Sequence, residues 1–136
     1  MPAKTLQVEV AVPDRLVLDG PAVSVQLPLA TGYLGVLPGH APLLAELGTG
    51  VLTLTSEGNS AQHLAIDGGA AEILPDRVRV LADKAESAQD VDRERARQAL
   101  ERANSRLQLQ SLEIDVERAQ RALRRARARL AVAGHS

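Results

Sequence analysis

Arginine is the residue type best able to do chemistry in this 136-residue chain, and it is concentrated near one end. From Arg118 onward every charged residue is an arginine: Arg118, Arg121, Arg124, Arg125, Arg127 and Arg129. Guanidinium groups offer paired donors to carboxylate and phosphate oxygens, so an acidic or phosphorylated partner is expected there. Elsewhere reactive groups are scarce. The absence of cysteine excludes thiolate nucleophiles, disulfide staples and Cys-based zinc sites together. His40 has no serine or second histidine spaced to join it, and a hydrogen-bonded turn histidine is the plainer reading. With no nucleophile and base pair, metal-ligand cluster or phosphate-binding glycine loop, no enzyme active site is expected.

A second polar group stands upstream. At 3.6 residues per turn, Asp92, Arg95, Ala96 and Arg102 fall within a sector of roughly 120°, so one helix face offers an acceptor, two cations and a gap. Arg125 and Arg129 are one turn apart on a later helix, about 100° from its apolar seam. A purely structural account also exists: Asp90 and Asp92 suit a helix N-terminus through the dipole, and arginine is a good helix former.

The elements that must position these residues differ in period. Up to about Asp83 the chain alternates apolar and polar residues, as in Leu6, Val8, Val10 and Val12. Similar runs occur at 15–19, 23–29, 51–55, 61–66, 71–74 and 77–81, separated by Asp19-Gly20-Pro21, Glu57-Gly58-Asn59, Asp67-Gly68-Gly69 and Pro75-Asp76. Many short strands at this spacing predict a β-sandwich or barrel. Tyr33 is the sole aromatic, so the core must be built from Val, Leu, Ile and Ala.

After Asp90 there is no glycine until Gly134 and no proline, which predicts helix. Leu109, Leu112, Val116, Ala119, Leu123, Ala126 and Leu130 keep a 3-4 spacing, the seam of a helix packed on another. Ala96, Leu100, Ala103 and Leu107 form the facing seam. The two fall out of phase near Asn104-Ser105, where the turn of an antiparallel hairpin is expected. Asn and Ser weaken a helix by only tenths of a kcal/mol each, so one long helix is a second accessible state. The fold class is therefore α+β, with a β-domain over 1–86 and a helical hairpin over 87–136. Charge divides the same way: residues 1–89 hold five Lys/Arg against ten Asp/Glu, and residues 90–136 hold eleven Arg against seven Asp/Glu. The opening residues alternate and no run approaches the roughly 20 apolar residues of a membrane span, so a soluble chain without a secretion signal is expected.

Residues 32–52 read as a stiff surface excursion, with Gly35 and Gly39 beside Pro38 and Pro42. The segment Gly-Val-Leu-Pro-Gly-His-Ala-Pro-Leu-Leu at 35–44 resembles the signature loop of the epsilon subunits of bacterial-type F-type ATP synthases. Val12-Pro13-Asp14-Arg15, Asp67-Gly68-Gly69 with Ala71-Glu72-Ile73, the strand at 78–81 and the closing helices follow in the family's order. Ala70 departs from it, where many members carry Phe. The resemblance implies a β-sandwich of about ten short strands docked on the gamma subunit and the c-subunit ring, followed by a movable hairpin. Tyr33 and His40 would then face gamma and the ring. It also implies a non-catalytic subunit, peripheral on the cytoplasmic face of a bacterial plasma membrane or on a thylakoid, and touching the membrane only through the complex.

Residues 91–96 match the family's pattern of an aliphatic residue, Asp, two variable positions, Arg and Ala, which implies ATP as a regulatory ligand and no required cofactor. Val91, Asp92, Arg95 and Ala96 carry that match. Glu86, Arg102, Arg125 and Arg129 fall on further positions of the family's nucleotide site. In an extended hairpin, Arg118, Arg121, Arg124 and Arg125 would meet acidic segments of the beta subunits in the alpha/beta catalytic head and obstruct hydrolysis. The competing reading is a nucleic-acid-binding or scaffold module with a basic helical arm. Acidic residues through 90–117, an acidic front half and the lack of aromatics for base stacking oppose it.

Overall fold

A computed structural model describes residues 5–108 and 115–134. Seven strands come first: β1 (Leu6–Val12), β2 (Arg15–Ala22), β3 (Ser24–Leu29), β4 (Gly32–Val36), β5 (Leu43–Thr55), β6 (Ala61–Leu74) and β7 (Arg77–Glu86). Two helices follow, α1 (Arg93–Gln108) and α2 (Val116–Ala133). The strands hydrogen-bond in the order β2-β1-β7-β6-β5-β3-β4, and β1 with β7 is the parallel pair.

Alternation decides which side chains go inward. Leu6, Val8 and Val10 of β1 join Val78 and Val80 of β7, and across the core they meet Val25, Leu27, Val36, Leu52 and Leu54 from the other half of the sheet. The continuous sheet thus folds over on itself as a sandwich, without an aromatic in its buried cluster.

Seven strands replace the ten or so expected, because β5 and β6 are 13 and 14 residues long and serve both halves. The runs at 61–66 and 71–74 are one strand, although Asp67-Gly68-Gly69 reads as a turn. Both glycines have positive φ, 73° and 118°, and a Cβ on Gly69 would collide with the carbonyl oxygen of Leu81. Glycine therefore bends the strand while pairing continues on either side. Nor is 32–52 one long excursion: it supplies β4, a turn over residues 37–42 and the first part of β5.

The hairpin departs from expectation in two respects. Asn104 and Ser105 lie inside α1, which continues to Gln108. Both are exposed, and the small propensity cost that made this a candidate break is too small to interrupt a helix packed on its neighbour. Leu109 and Leu112 lie outside the described residues. Asp115 caps α2 by accepting from the backbone N–H of Arg118 at 3.0 Å. The predicted seams do meet: Ala96 and Ala103 of α1 and Ala119 and Ala126 of α2 are buried, with Leu100, Leu107, Leu123 and Leu130 half-buried. Val116, expected within the second seam, is instead exposed.

A second stripe of α2 lies on the β-domain. Val132, fully buried, and Ala128 pack with Ala65 of β6, Val51 of β5 and Ala88. Arg125 and Arg129 share that stripe, since 125, 128, 129 and 132 follow i, i+3, i+4, i+7.

Candidate anion cleft between the helices and the sheet

Between α1, α2 and the β6–β7 pair lies a cleft of about 420 Å³. Arg95, Arg102 and Arg106 line it from α1, Arg125 and Arg129 from α2, and Lys84 from β7. Asp67 and Glu86 are its two carboxylates, so cations outnumber anions three to one. Ala99, Ala103, Ala122 and Ala126 line its helical walls, and their short side chains leave the opening between the guanidinium groups. A site that is cationic, concave and apolar-backed can hold a polyanion with an apolar moiety.

The cations differ in how far they are already engaged. Nε of Arg129 stands 2.9 Å from Oε1 of Glu86, and its Nη2 donates to Oε2 at 3.3 Å. Nε of Arg125 is 3.6 Å from Oδ2 of Asp67. These contacts are ion pairs rather than well-aligned hydrogen bonds at Nε: both Nε atoms are shielded from solvent and lack a hydrogen-bond partner among the described residues. Being a quarter to a third exposed, each pair contributes roughly 1 kcal/mol or less. The α1 arginines of the cleft and Lys84 form no ion pair among the described residues.

Of the eight residues expected at a nucleotide site, the cleft gathers Glu86, Arg95, Arg102, Arg125 and Arg129. Val91, Asp92 and Ala96 are not in its lining. The Asp92 carboxylate accepts from the backbone N–H of Arg95 at 3.1 Å, the bond of a helix N-cap. Ala96 is fully buried, so its small side chain serves helix packing here. Asp67, Lys84 and Arg106 are cleft residues that the sequence reading missed. Arg106 follows Arg102 by one turn, a signal that helical spacing carries. Asp67 and Lys84 face each other across β6 and β7, and strand register is not legible from local pattern.

Tyr33 and His40 are placed apart: Tyr33 lies within β4, paired with Pro28 of β3, and His40 lies beyond the strand's end. Tyr33 is 57% exposed, but its hydroxyl oxygen accepts from the N–H of Val51 at 3.0 Å, over Gly50, which has no side chain to obstruct the ring. It lines an open groove of about 1180 Å³ under the first half of α2, shared with Arg118, Arg121 and Arg124. His40 sits in the 37–42 turn, its N–H bonded to the Leu37 carbonyl at 3.2 Å and its ring Nδ1 2.7 Å from the Ala41 carbonyl. Leu37, Leu43 and Leu44 are exposed around that turn. Arg118, Arg121 and Arg124 are exposed and form no ion pair among the described residues.

A folded-over seven-stranded sheet carrying a helical hairpin on one side defines the class: a small β-domain with an appended two-helix arm and a cationic cleft between them. Residues 5–88 match the family described as ATP synthase, Delta/Epsilon chain, beta-sandwich domain, and residues 89–134 match ATP synthase, Delta/Epsilon chain, long alpha-helix domain. The ATP synthase epsilon chain of Solibacter usitatus is 54% identical over 99 residues, 73% of each chain. That of Moorella thermoacetica is 48% identical over 103 residues, 76% of this chain and 77% of the relative, and that of Bacillus subtilis 43% over 108, 79% and 81%. In fold, a chain of the Euglena gracilis mitochondrial ATP synthase is similar at a TM-score of 0.82 and 23% identity, covering 99% of this chain and 84% of that one. The chain belongs to the ATP synthase delta/epsilon family, and within it to the bacterial-type epsilon chains, central-stalk subunits of the F-type enzyme.

Proposed function

We propose that this chain is a non-catalytic coupling and regulatory subunit whose β-domain docks on the gamma subunit and the c-subunit ring and whose hairpin restrains ATP hydrolysis. The observation that carries this reading is the way α2 is held. It rests on the sheet through small residues, Val132 and two partly exposed ion pairs, a weak attachment compared with a sandwich core. Meanwhile Arg118, Arg121 and Arg124 remain exposed, free to meet acidic segments of the alpha/beta head when the hairpin extends. Coupling at the ring end draws on His40 and the exposed leucines of the 37–42 turn. Tyr33, beneath α2, is available to gamma once the hairpin moves. Among the described residues no helix is long and apolar enough to cross a membrane, and we place the subunit peripherally on the cytoplasmic face of a bacterial plasma membrane, or on a thylakoid, through its complex alone. Nucleic acid has no part in this reading.

ATP is the regulatory ligand of the reading, not a required cofactor. The cleft exists only while α1, α2 and the sheet are together, so a nucleotide bound there selects the folded hairpin. Opening into one long helix would also part Arg93 from Ala133, 40 residues apart, whose side-chain-to-carbonyl bond is 2.7 Å; at 1.5 Å per residue they would stand about 60 Å apart.

Two measurements test the proposal. Replacing Arg118, Arg121 and Arg124 with Ala should raise ATPase activity of the assembled complex several-fold; unchanged activity with normal assembly would count against the brake. Arg125 is kept because it also docks the folded hairpin. Separately, calorimetric titration of the chain with ATP should release heat that Arg95→Ala and Arg129→Ala diminish; no heat from the unaltered protein removes the nucleotide ligand and leaves the stalk role standing.

A further inference from the structure

We infer that Asp67 is an internal counter-ion that engages Arg125 in the folded hairpin and so sets how tightly the cleft takes a polyanion; this rests on the anion-binding reading above. The carboxylate is aimed rather than free. Thr49 donates its hydroxyl to Oδ1 at 2.8 Å, which leaves Oδ2 facing Nε of Arg125 at 3.6 Å. The Gly68-Gly69 bend, where both φ values are positive, places Asp67 at this point of β6. Asp67 and Arg125 line both the cleft and the open groove beyond it, so the pair forms part of the wall between the two.

An incoming polyphosphate meets two different walls. On α1, Arg95, Arg102 and Arg106 carry no ion pair among the described residues. On α2, Arg125 is already facing a carboxylate, and that carboxylate also repels the ligand. The repulsion acts at close range in a partly dehydrated cleft, where one charge on a polyanion is felt strongly. The docking lost with the pair is small, because the pair is long and partly exposed. Removing the Asp67 charge should therefore tighten anion binding.

The test is calorimetric titration of the full chain with ATP and, separately, with inorganic tripolyphosphate, for the parent, Asp67→Asn, Arg125→Gln and the double variant. Asn can still accept the Thr49 hydrogen bond, so the local fold is kept, and hydrogen exchange of α2 verifies that the hairpin stays docked. Asp67→Asn should bind both ligands about tenfold more tightly. Arg125→Gln should weaken the parent less than threefold yet cancel most of the Asp67→Asn gain. Equal or weaker binding by Asp67→Asn with α2 docked overturns the counter-ion while leaving the nucleotide reading intact. Tightening for tripolyphosphate with no ATP binding by any variant supports the counter-ion and overturns the nucleotide reading. No binding of either ligand by the parent or Asp67→Asn overturns both. If Asp67→Asn undocks α2, Asp67→Ser is measured in its place; undocking there too overturns the inference and makes the pair a docking contact.

Discussion

The β-domain and the hairpin are stabilised by different kinds of contact, and that contrast underlies the proposal that one chain serves as both a fixed part and a moving one. Leu6, Leu27, Leu52, Ile66 and Ile73 are fully buried within the sandwich, locked in a sheet by continuous pairing. A buried side chain of that size contributes roughly 1.5–3 kcal/mol. The hairpin buries Ala96, Ala103, Ala119, Ala126, Ala128 and Ala133, with Val132 its one larger fully buried residue among those described. An alanine methyl yields far less, so helices held by alanines and ion pairs can leave a sheet that stays folded. Stability of this sort is graded by region, with low-energy openings confined to the weakly packed part.

Four substitutions would break or sharpen that contrast, in descending order of effect. Ile73→Ala in the sandwich should cost about 2–5 kcal/mol and lower the urea midpoint of the whole β-domain. A small loss would mean that the sandwich is no firmer than the hairpin. Val132→Ala should cost roughly 1–3 kcal/mol, but locally: amide exchange should quicken through α2 while the strands keep their protection. Equal loss in both regions would show that they unfold as one unit.

Arg93→Ala removes the 2.7 Å bond to the Ala133 carbonyl, a contact that also suits a cation at a helix C-terminus. It should speed exchange at the end of α2 by an amount matching about 0.5–1.5 kcal/mol, with Arg93→Lys recovering part of it. The smallest effect belongs to Arg97, which bridges Glu94 and Glu101 at 2.6 Å on the outer face of α1. Hydrogen bonding and charge from Arg97 hold the Glu94 carboxyl below its ordinary value. That contribution is present at neutral pH and fades as pH falls through the lowered value, yet the groups are fully solvated. Arg97→Ala should leave the unfolding midpoint within measurement error.

The two regions were also unequally legible. Alternation in Leu6–Val12 and Arg77–Leu81 marks buried and exposed positions correctly, and the 3-4 spacing finds the Ala96/Ala103 and Ala119/Ala126 seams. What misled was punctuation. Asp67-Gly68-Gly69 has the composition of a turn, but tertiary pairing carries the strand through it; Asn104-Ser105 has that of a break, but packing carries the helix through. The stripe of α2 on the sheet was hidden because two of its four positions, Arg125 and Arg129, are charged, and their partners lie 43 to 58 residues away in sequence.

By itself the sequence determined a β-domain without aromatics, two alanine-seamed helices and a late run of arginines, because periodicity and residue chemistry are local properties. Only the tertiary structure decided which arginines face the sheet and that Asp67 and Glu86 already engage two of them. Those outcomes depend on strand register and on how the hairpin settles against β6 and β7, which are set by contacts between residues far apart in the chain.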